Sequence, residues 1–143
     1  MKKTLLMLFI ATISVQNYAQ NQYLKNGVAI QGYDPVGYFE SNKAIEGNKE
    51  ITTKYKEATY YFSSENNKTL FLKNPDKYVP QFGGFCAYGV SENHNSPTQP
   101  EAFTIVDGKL YLNYNLKVKE LWSKDRESRI EKANQNWLQL QKE

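Results

Sequence analysis

The chain has 143 residues, with 18 Lys+Arg against 15 Asp+Glu, a formal net charge of +3 and 14% aromatic residues. That length allows one domain and excludes a full (β/α)8 barrel or a doubly wound dinucleotide fold. The near balance of charge excludes the basic stripe of a nucleic-acid binder, and eleven Tyr with seven Phe argue for a packed core over disorder.

Residues 1–19 follow their own logic. Met1-Lys2-Lys3 is a short basic start, Thr4 to Val15 is an apolar run, and Asn17-Tyr18-Ala19 offers a small residue for cleavage. This is the three-part pattern of a secretory signal peptide, and the run is too short for a bilayer span. Cleavage there removes two lysines and no acids. It leaves 16 basic against 15 acidic groups over 143 less 19, or 124, residues. The expectation is an exported protein, periplasmic or secreted, with no membrane insertion after cleavage. It carries a single cysteine, Cys86, so no internal disulfide staples it. An odd cysteine in an exported protein points to a buried thiol, an intermolecular bridge or a metal ligand.

Residues 20–26 read as a loose polar lead-in to one domain over 27–143. Val28 to Ile30 is a short apolar stretch, Gly32-Tyr33-Asp34-Pro35 is a turn, and Val36 to Phe39 reads as extended. Glu40 to Asn48 reads as loop. Ile51, Thr53 and Tyr55 alternate with polar residues as in a half-buried strand. A second strand over Thr59 to Phe62 pairs with it through a turn at Glu57-Ala58. Ser63 or Ser64 caps a helix over about 65–73, with Leu70 and Phe71 inward, and Asn74-Pro75 stops it.

Gly83-Gly84-Phe85-Cys86-Ala87-Tyr88-Gly89 then sets three glycines among aromatic and small residues, and 91–100 reads as a surface loop. Asp107-Gly108 predicts a two-residue hairpin in which Phe103 opposes Leu112 and Ile105 opposes Leu110, all four on one face. Asn115 caps a helical end in which Val118, Leu121 and Trp122 share one face. Ile130, Ala133, Trp137 and Leu140 form an amphipathic stripe laid on the sheet, with a solvated mixed-charge face opposite. The fold class is α+β: small antiparallel hairpins, a short central helix and C-terminal amphipathic helices.

Several segments look familiar. They are Gly32-Tyr33-Asp34-Pro35-Val36, Tyr60-Tyr61-Phe62-Ser63-Ser64 and Phe71 to Tyr78, followed by Gly83 to Val90 and Gly108 to Tyr114. Over about residues 27–138 the chain resembles the YHS domain family, and the last two segments resemble its exported, single-domain branch. The resemblance implies kinship with cysteine-rich modules that bind soft metals in pumps and metal-handling proteins. Those relatives carry one cysteine after Asp-Pro-Val and two near the start of the helix. The matching positions here are Gly37, Ser63 and Asn67, so all three thiols are missing. Ser and Asn are hard, weak ligands that do not replace thiolates for copper or zinc.

Cys86 is the remaining chemical lead. A thiolate there suits a copper ion, Cu(I), with His94 or a second chain's Cys86 as partner. The competing assignment is a small buried hydrophobe, the commonest fate of a free cysteine. His94 lies in the polar stretch Glu92-Asn93-His94-Asn95, where a plain surface histidine is also expected. Tyr33, Asp34 and Tyr88 are pocket candidates, within a wider set of Tyr38, Tyr60, Tyr61, Tyr111 and Tyr114. Asp34 is equally a turn former bonding its own backbone. Phosphate-loop, nucleophile-elbow and HExxH motifs are absent. Three readings stand. The first is an exported non-catalytic binding module for an unidentified ligand or protein partner, with a soft metal on Cys86 as its sharpest form. The second is a structural or interaction domain with an inert cysteine, and the third is an enzyme whose site has no recognised motif.

Overall fold

The computed structural model describes residues 19–143, so the leader expected over 1–19 lies outside it but for Ala19. The chain enters through two very short antiparallel strands, β1 (Leu24–Lys25) and β2 (Val28–Ala29). Asn26 and Gly27 between them both take positive φ, 51° and 78°, as a two-residue hairpin turn requires. The stretch 20–26 is therefore tied down, unlike the loose lead-in its polarity suggests. Asn21 N–H donates to the Gln141 carbonyl at 2.8 Å and Tyr23 N–H to that of Gly83 at 2.9 Å. Polar side chains left the backbone free to make these bonds, which the sequence pattern does not reveal.

β3 (Asn48–Tyr55) and β4 (Ala58–Phe62) form the expected hairpin, and its turn is Lys56-Glu57, both at positive φ. β2 joins β4 in parallel, Val28 beside Thr59, giving the order β1-β2-β4-β3. The sheet is thus mixed, where only antiparallel hairpins were expected. Ala58, Tyr60 and Phe62 of β4 are buried, and Thr59 and Tyr61 are half-buried.

Val36 to Phe39 departs from the extended expectation. It winds into one helical turn, α1 (Gly37–Glu40). The cause is Asp34, whose Oδ1 accepts from Val36 N–H at 2.8 Å and bends the chain. α2 (Glu65–Lys73) starts at Ser64, whose Oγ accepts from Asn67 N–H at 3.1 Å. Of the two candidate caps it is Ser64 that works. Asn74 ends the helix and Pro75 opens the single turn α3 (Pro75–Tyr78). Phe71 is fully buried at the centre of the first core, with the Tyr60 and Phe62 rings at 4.9 and 5.2 Å.

The hairpin β5 (Phe103–Val106) and β6 (Lys109–Leu112) has the predicted register, Phe103 opposite Leu112 and Ile105 opposite Leu110. Its two faces serve different cores. Leu110 and Leu112 pack into the first core, while Tyr111 enters a second with Phe82, Trp122, Ala133 and Trp137. β6 is the wall between the two.

α4 (Ala87–Ser91), α5 (Leu116–Ser123) and α6 (Arg126–Leu140) complete the fold. Asn115 caps α5 as expected, accepting from Val118 N–H at 2.8 Å. Trp122 is fully buried, whereas Leu121 is 41% exposed and does not share its inward face. The apolar stripe of α6 packs with α4, the Phe82 turn and Tyr111 of β6 in the second core, and not on the four-stranded sheet. The α+β class holds, and among the described residues no helix is long and apolar enough to cross a membrane.

Candidate functional site

The segment before Cys86 is shaped by three consecutive left-handed residues, Phe82, Gly83 and Gly84, at φ 56°, 60° and 84°. At Gly83 a side chain is forbidden twice, by φ and by the Asn21 carbonyl oxygen, 2.2 Å from where a Cβ would sit. The turn delivers Cys86 to the start of α4, where its N–H donates to the Ser96 carbonyl at 3.0 Å. Cys86 is 2% exposed. Its sulfur donates to Asn113 Oδ1 at 3.4 Å and accepts from Tyr114 N–H at 3.2 Å. Asn113 Oδ1 also accepts from Tyr88 N–H at 3.0 Å. Burial pushes the thiol above its ordinary value, and the N–H groups of Gly89, Tyr114 and Tyr88 pull part of that back.

Above this sulfur lies an open, largely apolar cleft of about 270 Å³, walled by Tyr88, His94, Tyr114 and Val118 with Gly89 and Ser96 between. The His94 ring lies against Gly89, where an added Cβ would meet Cε1 at 3.1 Å. Its Nδ1 is 2.9 Å from Ser96 Oγ, and among the described residues Nε2 has no hydrogen-bond partner. The Tyr88 wall is clamped from α6: the Arg129 guanidinium sits 4.0 Å over its ring and bonds Glu92 at 2.7 Å and Asp125 at 2.8 Å. Glu92 holds Arg129 above its ordinary value although partial burial opposes this, and the same bond lowers Glu92.

Cys86, His94 and Tyr88 of the sequence candidates therefore share one cleft. Tyr33 and Asp34 lie elsewhere. The Tyr33 hydroxyl donates to Glu101 Oε1 at 3.1 Å. Tyr38, Tyr60 and Tyr111 are core residues. Ser96, Val118 and Asn113 were missed by sequence reasoning. They are brought in by a loop, a strand end and the first turn of α5, which no local pattern links to Cys86.

Asp34 builds a second constellation. It is fully buried, and its contacts are all donors. Oδ1 accepts from Val36 N–H at 2.8 Å and, more loosely, from Gly37 N–H at 3.4 Å. Oδ2 accepts from Ser63 N–H at 2.8 Å, Ser63 Oγ at 2.6 Å and Asn67 Nδ2 at 2.8 Å. The turn-former assignment is right about the backbone bond but too small. Asp34 clasps the α1 turn, the end of β4 and the first turn of α2. The three positions aligned above with thiol ligands, Gly37, Ser63 and Asn67, all meet at this carboxyl. An oxygen and amide cluster offers a soft metal nothing.

Residues 36–82 match the family model described as YHS domain. That stretch runs from α1 to the Phe82 turn and contains Gly37, Ser63 and Asn67. It stops before Cys86, so the cleft falls outside it. No curated protein and no solved structure matches the chain. Among the described residues, no group of three or more His, Cys, Asp or Glu side chains is placed to hold a metal ion.

Proposed function

We propose that the protein is an exported, non-catalytic binding module whose ligand site is the cleft over Cys86, and that its ligand is a soft monovalent metal, Cu(I). One observation carries this reading: the chain's single thiol and single imidazole line the same apolar-walled cleft. A thiolate and an imidazole select a soft ion, and two ligands fall short of the four a structural zinc site uses. Cys86 Sγ and His94 Nε2 would hold the ion. Ser96 would fix the imidazole through Nδ1, as outer partners of ligating histidines do. The metal would supply charge and an affinity for soft donors; the protein would supply an apolar-walled cleft and two donors. The leader pattern of residues 1–19 supports export.

Cu(I) titration of the reduced mature protein against a competing chelator tests the proposal. Tight one-to-one binding, lost in Cys86→Ser and weakened about tenfold or more in His94→Ala, is expected. Equal retention by wild type and Cys86→Ser refutes it.

A second reading has its own support. Cys86 is almost wholly buried and its sulfur doubly hydrogen-bonded, while Tyr114 in the cleft wall is 50% exposed and Leu116, two residues on, is 62% exposed. An interaction module with an inert thiol would look like this. It predicts no Cu(I) binding and no thiol reaction until the fold opens.

A further inference from the structure

Export of this chain would create a new N-terminus. Cleavage after Ala19 makes Gln20 the first residue. We infer that Gln20 closes on itself to pyroglutamate, a modification that leaves the mature protein with a neutral, blocked N-terminus. This rests on the export part of the reading above and not on the metal.

Three observations carry it. First, an N-terminal glutamine holds its own electrophile. The α-amine attacks the side-chain Cδ, the Cδ–Nε2 bond breaks, and the departing amide nitrogen takes a proton from the amine and leaves as ammonia. A five-membered lactam forms with no oxidant and no co-reactant. The α-amine ordinarily titrates near 8, so a useful fraction is unprotonated and nucleophilic at neutral pH.

Second, the segment following Gln20 is fixed, so this residue has a defined place in the fold. Asn21 N–H bonds the Gln141 carbonyl at 2.8 Å, Gln22 Nε2 bonds the Lys56 carbonyl at 2.7 Å, and Tyr23 N–H bonds the Gly83 carbonyl at 2.9 Å. Gln20 itself is exposed and carries none of these bonds, so it is free to react.

Third, Gln20 lines a small, partly enclosed hollow with Tyr55, Tyr60, Val79, Pro80 and Lys56. No acidic side chain lines that hollow among the described residues, and its one cation, Lys56, is already paired with Asp76 at 3.6 Å, so a free α-ammonium there has no carboxylate of its own. Ring closure removes that charge and leaves a compact lactam suited to aromatic and proline walls.

The test uses the full chain, leader included, exported by a bacterial host and quenched in acid at once so that cyclisation during handling is excluded. Intact mass and the N-terminal peptide are then measured. The expected result is a chain starting at residue 20 and lighter than its sequence by one ammonia. It resists Edman degradation until pyroglutamyl aminopeptidase treatment, while Gln20→Ser emerges unblocked. A chain starting at residue 20 with full mass and a free amine overturns the inference and leaves export standing. A chain starting at Met1 or at any other residue overturns both.

Discussion

Removing the Asp34 carboxyl should be among the most damaging single changes outside the aromatic cores. The group is fully buried and accepts five donors. In Asp34→Ala, the Ser63 hydroxyl and the Asn67 amide can turn toward water, because Ser63 is exposed and Asn67 half-buried. The backbone N–H groups of Val36 and Ser63 are fixed in the main chain and keep pointing at the vacated carboxyl position. Leaving two such donors unpaired costs about 1–3 kcal/mol each. We therefore expect a loss of about 3–5 kcal/mol, a large share of the roughly 5–15 kcal/mol that stabilises a typical domain. The melting midpoint should fall by about 10–20 °C at this chain length. Asp34→Asn is the sharper variant. It keeps the shape and one acceptor oxygen but turns an NH2 group toward either the Val36 side or the Ser63–Asn67 side, donor against donor. Urea unfolding of wild type, Asp34→Asn, Asp34→Ala and the exposed control Glu40→Ala measures this. Asp34→Asn should fall within about 1 kcal/mol of Asp34→Ala. If it stays within about 0.5 kcal/mol of wild type, the clasp is not what holds these elements together.

The remaining expectations are more local. Gly83→Ala should destabilise by more than about 2 kcal/mol in thermal unfolding, since its Cβ would overlap the Asn21 carbonyl and its φ is +60°. Gly89→Ala should leave the fold intact but displace the exposed His94 ring, weakening Cu(I) retention without changing the melting midpoint by more than a few degrees. The Cys86 thiol is held above its ordinary value by burial, so the folded state binds that proton more tightly than the unfolded chain. Its stabilising contribution is present below the unfolded value of about 8.5 and is lost as pH rises through the folded value. Unfolding free energies at pH 7 and pH 10 should converge toward, or fall below, those of Cys86→Ala at the higher pH; a constant gap contradicts the shift.

What the sequence disclosed, it disclosed through local chemistry. Asp107-Gly108 set the register of β5 and β6, Asn115 capped α5, and Asn74-Pro75 ended α2. The misreadings share one cause: a distant partner overrode a local pattern. Asp34 wound Val36 to Phe39 into a helical turn. The Gln141 and Gly83 carbonyls pinned a polar lead-in, and the second core drew the α6 stripe away from the four-stranded sheet. The cleft was half legible. Cys86 and His94 are eight residues apart, but Tyr114 and Val118 reach it only because Asn113 and Tyr114 bond the Cys86 turn across the fold.

If Cys86 and His94 together make the ligand site, X-ray absorption on the reduced mature protein loaded with one equivalent of Cu(I) should show it. One sulfur and one imidazole nitrogen are expected around copper, with the nitrogen lost in His94→Ala. Copper held by two sulfurs, or by no sulfur at all, would contradict it.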